Sequence, residues 1–303
     1  MLFVIWCLDI VICFSRMYPT LFKFGPFEIH TWGLLLAIAF LAGISLSSRR
    51  AKREGMDPEK ISTLGVVIMI SSIIGGRALF VLYHLEEYKA NPLEILAIWQ
   101  GGLMIYGGVL TAFLAGFVYL RKSKLPVWKV ADLISPALAL GLAFGRIGCY
   151  FNGCCYGKPT HLPWAIQFPP GSEASQTFPD QSLHPTQLYE SLVGLLLFFF
   201  LLFIEARSVK HEAKSMKHKE RRLPQGSLFF SLTALYSIWR FGIDFLRGYE
   251  PNAYLFQSDL CEPLTINQFI SLLLLPLSLF MILRLRKKRE KHRRGAEVAE
   301  LKS

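Results

Sequence analysis

The chain has 303 residues, of which 52% belong to the hydrophobic set and only 18% are charged. With a mean hydropathy of +0.38, this composition is too apolar for an ordinary soluble domain and indicates an integral membrane protein. The net charge of +11 would point to a nucleic-acid partner only if the basic residues lined one continuous face. They lie instead in blocks between apolar stretches, so we expect no nucleic acid.

Seven apolar stretches are long enough to cross a membrane as helices, which takes about 20 residues each. They lie at residues 29–48, 61–84, 98–120, 127–145, 185–205, 226–247 and 265–284. We therefore predict an all-α integral membrane protein with seven transmembrane helices.

The basic residues predict the orientation of this bundle. Of the 33 Lys and Arg, 25 lie in four segments, at 49–60, 121–129, 206–224 and 284–303. Loops rich in Lys and Arg are cytoplasmic in most membrane proteins. We therefore expect the N-terminal end of the bundle outside, the C-terminus in the cytoplasm, and polar loops at about 146–184 and 248–264 on the periplasmic side.

The first sixteen residues, "MLFVIWCLDIVICFSR", fit this arrangement poorly, because their apolar stretch is short for a span and contains Asp9. They also lack the basic leading region and the small-residue cleavage site of a signal peptide. A start at Met17 and a short interfacial or imperfect signal segment are both compatible with the pattern. We treat 1–16 as an extension and predict a transmembrane domain over 17–286 and a basic cytoplasmic tail over 287–303.

Ionisable residues inside spans are costly and therefore mark candidate functional sites. In the sixth span, "LYSIWRFGIDFLRG" places Tyr236, Arg240 and Asp244 on one helical face, with Arg247 close behind. This stripe must face the bundle interior. An Arg240–Asp244 pair that only staples helices together is the structural alternative.

Arg77 in the second span and Arg146 at the end of the fourth are expected in the same outer leaflet as Arg240. Gly145 and Gly148 flank Arg146, where a helix can stop and backbone can approach a ligand. A guanidinium binds phosphate through paired hydrogen bonds, and the abundant phosphate at this depth belongs to lipid. We therefore expect a phospholipid site that faces outward.

Two further motifs add polar residues to the spans. "WQGGLMIYGGVL" surrounds Tyr106 with glycine pairs, including Gly107, which either pack helices or admit a lipid. "LHPTQLYES" places Gln187, Tyr189 and Glu190 where apolar residues would be less costly, with His184 just before the span. Asp132 is expected to be structural, as a helix cap or a buried anchor.

The cysteines leave several interpretations open. The six are Cys7, Cys13, Cys149, Cys154, Cys155 and Cys261. The C-x4-C-C spacing differs from the C-x2-C spacing of zinc and iron–sulfur sites, so we expect no metal. Disulfides on an oxidising outer face and simple apolar packing are the alternatives.

Five motifs follow one another between residues 18 and 284: "YPTLFKFGPFEIHTWG", "WQGGLMIYGG", "VADLISPALALGLAFGRIGCYFNGCCYG", "LHPTQLYE" and "LYSIWRFGIDFLRG". Together they resemble the signatures of the bacterial prolipoprotein diacylglyceryl transferase family. The resemblance implies a seven-span inner-membrane enzyme without metal or organic cofactor. Such an enzyme moves the diacylglyceryl group of phosphatidylglycerol onto the lipobox cysteine in the signal peptide of a prolipoprotein, forming a thioether and releasing glycerol phosphate.

Carried over by position, the resemblance implies that Arg146 and Arg240 are essential and that Gly157 lies near the lipid headgroup. Asp244 replaces an acidic residue that is Glu in the best-known members. The other matching motif positions are Asn152, Gly153, Asp132, Glu190, Tyr236 and Gly107. We expect catalysis by Arg146, Arg240 and Tyr106. The residues expected to bind substrate are Arg146, Arg240, Gly157, Asn152, Arg77, Gly107, Trp32, His184, Glu190, Tyr236 and Asp244.

The chain departs from the best-known members at four positions. Tyr106 replaces a His proposed as the base, and Trp32 replaces a Tyr; Cys149 and Cys154 replace an Asn and a Glu. Because a tyrosine with a pKa of about 10 is a poor base near pH 7, Tyr106 is expected to orient the thiol or the headgroup. His184, an outgoing phosphate oxygen and water are the candidates for accepting the thiol proton.

Two other functions are compatible with these departures. One is a phospholipid-binding or transport protein that has the same fold without the chemistry. The other is a thiol-redox membrane protein that uses Cys154 and Cys155, although its expected C-x-x-C motif is absent.

Overall fold

The computed structural model describes residues 20–24, 27–89, 91–97, 101–214, 223–248 and 264–300. The chain divides into two compact units, with residues 40–134 in the smaller and the rest in the larger. The extension predicted over 1–16 and most of the predicted loop at 248–264 lie outside the described residues.

Helices make up most of the described chain. The α-helices are α1 Thr31–Arg53, α2 Pro58–Tyr83, α3 Leu85–Tyr88, α4 Ile105–Lys122, α5 Val127–Asn152, α6 Glu173–Thr177, α7 Thr186–Lys214, α8 Ser227–Ile243 and α9 Ile266–Glu300. Short 3-10 helices lie at Pro92–Leu96 and Asp244–Leu246. Two antiparallel strand pairs join β1 Thr20–Phe24 to β2 Phe27–His30, and β3 Ile166–Gln167 to β4 Ser182–Leu183.

Each of the seven predicted apolar stretches overlaps a long helix. Five helices of the described chain are long and apolar enough to cross a membrane. They are Thr31–Arg53, Pro58–Tyr83, Val127–Asn152, Thr186–Ser208 and Ile266–Lys291. The other two, α4 and α8, have 18 and 17 residues. α4 begins at Ile105 rather than near residue 98, because Gly101 and Gly102 adopt positive φ and interrupt the helix.

In the smaller unit, α2 and α4 pack closely where glycines meet. A Cβ at Gly75 would lie 2.6 Å from the carbonyl oxygen of Gly107, and one at Gly108 would lie 3.0 Å from that of Ser72. Thr111 Oγ1 donates a hydrogen bond to the Ser71 carbonyl at 2.8 Å across the same contact. An aliphatic cluster of Ala51, Ile61, Leu64, Leu120, Val130 and Leu133 completes this core.

In the larger unit, α8 packs against α7 and α9. The core between α5, α7 and α8 is aliphatic and consists of Ala139, Leu197, Leu201, Leu228 and Leu232. α7 approaches α5 closely at Gly194, where a Cβ would lie 2.9 Å from the backbone nitrogen of Ala143. This packing brings one end of α5 into the same unit as the polar ends of α7 and α8.

The predicted end of the fourth span is wrong. α5 does not stop at Gly145 or Gly148 but continues to Asn152. Gly153 follows at φ +70°, a conformation that favours glycine and ends helices. The absence of a side chain at Gly148 instead makes room for Trp32, because a Cβ there would lie 2.8 Å from Cδ1 of Trp32.

The segment after α5 is folded rather than irregular. Tyr156, Phe168, Ala174 and Leu183 form a small buried cluster beside the β3–β4 pair. Ser172 caps α6 by accepting a hydrogen bond from the Ser175 backbone. The segment therefore provides a fixed surface next to the end of α5.

Candidate active site

Glu190 lies at the centre of a buried charge cluster in the larger unit. Its Oε2 is 2.9 Å from Nε of Arg146, and its Oε1 is 3.4 Å from Nη1 of Arg240 and 3.7 Å from Nη1 of Arg247. Nη1 of Arg240 also lies 3.2 Å from Oδ1 of Asp244. The side chains of Glu190 and Asp244 are 2% and 0% exposed, so these charges interact away from bulk water.

Three helix ends supply this charge cluster. Arg146 lies near the end of α5, Glu190 in the second turn of α7, and Arg240 near the end of α8. Arg240 and Asp244, which their i, i+4 spacing places on one helical face, form an ion pair. Thr265 Oγ1 donates a hydrogen bond to Oδ2 of Asp244, which fixes the second carboxylate oxygen.

The charge cluster contains three guanidinium groups and two carboxylates. Burial of charge is costly unless the partners are well placed, so an additional anion is favoured here. Arg146 forms its ion pair with Glu190 through Nε rather than through its two terminal nitrogens. The Arg146 side chain is 17% exposed. It therefore offers two N–H-bearing nitrogens to a ligand that arrives from outside the cluster.

Gly157 lies in a three-segment strip of backbone. Its nitrogen donates to the carbonyl of His184 at 3.1 Å, and it forms a β-bridge with Arg247. A Cβ at Gly157 would lie 2.5 Å from Cβ of His184 and 2.9 Å from the carbonyl oxygen of Leu246. The strip thus connects Arg247 of the charge cluster to the segment before α7, and it has no room for a side chain at Gly157.

His184 is a candidate proton acceptor at this strip. Burial lowers the pKa of its imidazole from the usual value, which favours the neutral form near pH 7. Its Nδ1 is buried and has no hydrogen-bond partner among the described residues. Its ring contacts that of Tyr189 edge-on, with the ring centroids 6.3 Å apart.

Three other predicted site residues lie in the same unit. Trp32 packs on the α5 backbone at Gly148 and is 41% exposed. Tyr236 contacts the aliphatic core and lies close enough to Arg146 to interact with its charge. Asn152 ends α5 and lies within hydrogen-bonding reach of Cys154.

The thiols of Cys149, Cys154 and Cys155 are clustered. Their sulfur atoms all lie within 4.8 Å of one another, and each residue is half-buried. Among the described residues, these three place their ligand atoms close enough together to hold a metal ion.

Arg77 belongs to the smaller unit, where its guanidinium is directed at backbone. Nε donates to the carbonyl of Ile95 at 2.9 Å, and Nη2 to that of Glu94 at 2.7 Å. Nη1 donates to Gly101 and Gly102 at 2.8 and 3.1 Å. Most of its N–H groups are therefore engaged in fixing the segment that precedes α4.

Tyr106 and Gly107 also belong to the smaller unit. Tyr106 is 58% exposed in the first turn of α4, whereas Gly107 is buried in the contact with α2. Asp132 lies in α5, and its carbonyl accepts a hydrogen bond from Arg50 at 3.4 Å. Arg50 also donates to the carbonyl of Leu133. These contacts involve backbone carbonyls, so the structural role of the Asp132 side chain stays a prediction.

Two buried residues at the start of α7, to which the sequence patterns assigned no role, bind the backbone that follows α5. Thr186 Oγ1 donates to the carbonyl of Cys155 at 3.0 Å, and Gln187 Nε2 donates to that of Cys154 at 2.8 Å. Both side chains are fully buried. The polarity of Gln187 in an apolar span already marks it in the sequence, and the same signal could have identified Thr186.

Comparisons with known proteins cover all the residues of the charge cluster. The profile of a family described as prolipoprotein diacylglyceryl transferase matches residues 19–284. Three relatives are each named phosphatidylglycerol–prolipoprotein diacylglyceryl transferase. The one from Nostoc sp. is 36% identical over 265 residues, which are 88% of each chain. The one from Clostridium tetani is 33% identical over 88% of this chain and 96% of its own. The one from Synechococcus elongatus is 41% identical over 63% of this chain and 66% of its own.

Proposed function

Because the chain belongs to the prolipoprotein diacylglyceryl transferase family, we propose that it transfers the diacylglyceryl group of phosphatidylglycerol to the lipobox cysteine of prolipoproteins. A thioether forms and glycerol phosphate is released, as the first step of lipoprotein maturation. The substrates are those that the names of its relatives state.

We further propose that seven helices span the bacterial inner membrane, with the N-terminal end of the bundle outside. Five described helices are long and apolar enough to cross a membrane. The basic segments at 49–60, 121–129, 206–224 and 284–303 support cytoplasmic loops and a cytoplasmic C-terminus. In this orientation, the end of α5 and the start of α7 lie near the outer leaflet.

The proposal rests on the two terminal guanidinium nitrogens of Arg146, which are available to a phosphate. When a thiolate attacks the glycerol C3 carbon, the C–S bond forms and the C–O bond to phosphate breaks. The departing glycerol phosphate gains one negative charge. Arg146, supported by Glu190 and with Arg240 beside it, would stabilise this charge as it develops.

The acceptor thiol must lose its proton before or during the attack. His184 is the side chain best suited to accept it, since its lowered pKa keeps it neutral. Tyr106 would orient the thiol or the headgroup. The outgoing phosphate and water are the alternatives that a pH profile distinguishes.

The other expected substrate contacts divide into two groups. Trp32, Asn152, Gly157, Tyr236 and Asp244 surround or support the charge cluster, and we propose that they shape the headgroup site. For Arg77 and Gly107, the present contacts favour structural support of the segments around α4.

Substitution of the two arginines tests this function. With labelled phosphatidylglycerol and a lipobox peptide, Arg146→Ala and Arg240→Ala should each lower the rate of transfer by about 100-fold or more. Arg146→Lys should give an intermediate rate, because it keeps the charge without the fork. Arg121→Ala, at the end of α4, removes an arginine elsewhere and should leave the rate unchanged. Full activity in Arg146→Ala would refute the proposal, and so would a wild-type protein that binds the lipid without turnover.

A further inference from the structure

The three clustered thiols lie at nearly the spacing of a metal site. A zinc ion binds thiolates at about 2.3 Å in a tetrahedron, which places sulfur atoms about 3.8 Å apart. The sulfur atoms of Cys149, Cys154 and Cys155 lie within 4.8 Å of one another. Closure around an ion therefore requires movements of about 1 Å or less, which small rotations of the side chains provide.

The backbone geometry explains why these three thiols lie close together without the C-x2-C spacing of common metal sites. α5 ends at Asn152, and Gly153 at φ +70° reverses the chain. The Cys154 nitrogen then donates to the carbonyl of Cys149 at 3.2 Å. A helix end followed by a tight turn thus brings Cys149 close to Cys154 and Cys155. A search for C-x2-C spacing does not detect such an arrangement.

The Cys154–Cys155 pair is fixed in an uncommon conformation. Cys155 adopts φ +61°, which is costly for a residue with a side chain. The surrounding structure enforces it, because Gln187 and Thr186 donate to the carbonyls of Cys154 and Cys155. Simple apolar packing does not require a preorganised turn of this kind.

Two arginines provide the charge that a thiolate site needs. Three thiolates around a divalent ion leave a net charge of −1. Arg247 and Arg146 both act on Cys155 electrostatically. Metal binding would release the thiol protons to solvent, without any oxidation or reduction.

We propose that Cys149, Cys154 and Cys155 form a binding site for one thiophilic metal ion of the Zn²⁺ class. With three protein ligands, one coordination position is left for water or another small ligand. The ion would fix the turn that leads to Gly157. This site is additional to the proposed transfer reaction, and its test does not depend on activity.

Cobalt titration of the purified full chain in detergent tests the site. After reduction of the thiols, Co²⁺ should bind with a stoichiometry of one per chain and give the absorption of sulfur-to-cobalt charge transfer. Zn²⁺ should remove this absorption by displacement. The variant Cys149→Ser/Cys154→Ser/Cys155→Ser should lose the signal, whereas the matched variant Cys7→Ser/Cys13→Ser/Cys261→Ser should retain it.

A second variant covers the case in which the triple variant does not fold. Gln187→Leu keeps all three thiols but removes the bond to Cys154, and zinc affinity should fall by about tenfold. Absence of thiolate–cobalt absorption in the reduced wild-type chain would overturn the proposal. An unchanged signal in the triple-serine variant would do the same.

Discussion

Glu190 is the residue on which the charge cluster depends, because its two oxygens contact the side chains of Arg146, Arg240 and Arg247. Removal of one partner from a buried ion pair destabilises a protein far more than replacement of the whole pair by well-packed apolar groups. The carboxylate also leaves the terminal nitrogens of Arg146 available. Glu190 is therefore expected to matter both for folding and for the placement of the phosphate.

Glu190→Gln should destabilise the protein by about 3 kcal/mol, because three arginines then lack their shared carboxylate. Thermal unfolding in detergent, combined with the transfer assay, measures both consequences. Glu86→Gln changes an acid whose side chain is 85% exposed and should have little effect on either. Equal stability of the two variants would show that Glu190 does not organise the cluster.

His184 predicts a particular pH dependence. Because burial lowers its pKa, the acid limb of the transfer rate should have its midpoint below pH 6.5, the usual value for an imidazole. As the pH falls through the pKa that His184 has in the folded protein, its imidazole is protonated and can no longer accept the thiol proton. His184→Ala should abolish this acid limb in a rate-against-pH profile. A rate that rises mainly through about pH 8.5, the usual thiol pKa, would argue for ionisation of the acceptor without His184.

At the scale of elements, the strip formed by Gly157, the segment before α7 and the segment after α8 connects three helices. Gly157→Ala should lower the unfolding temperature and the transfer rate together, because its Cβ would meet His184 and the Leu246 carbonyl within 3 Å. Gly141→Ala is a matched control in α5, where the same Cβ meets nothing within 4 Å. It should be neutral or stabilising by up to about 1 kcal/mol. Equal unfolding temperatures for the two variants would contradict the claim that the strip has no room for a side chain at Gly157.

The helices were predictable from sequence, whereas several of their ends were not. Apolar runs place the long helices because burial or lipid contact determines them. The start of α4 and the end of α5 depend on backbone conformation at Gly102 and Gly153, which hydropathy does not encode. The Arg240–Asp244 pair followed from helical spacing, but the contact between Arg240 and Glu190 joins residues 50 apart. Such contacts require the tertiary packing of α7 on α8.

At the scale of the whole molecule, the distribution of basic residues predicts the topology. Alkaline phosphatase inserted at Gly171, an exposed position in the segment after α5, should be active because the proposed topology places this segment outside. A fluorescent protein fused after Ser303 should fluoresce because the proposed topology places the C-terminus in the cytoplasm. Fluorescence at the first site or phosphatase activity at the second would reverse the predicted orientation.

Analysis of both products in one reaction tests the central claim most directly. The wild-type protein, reconstituted with phosphatidylglycerol and a lipobox peptide, should convert the peptide cysteine to a diacylglyceryl thioether and release an equal amount of glycerol phosphate. Mass spectrometry measures both species. Lipid binding without either product, or release of glycerol phosphate without the thioether, would contradict the assignment of this chain as a diacylglyceryl transferase.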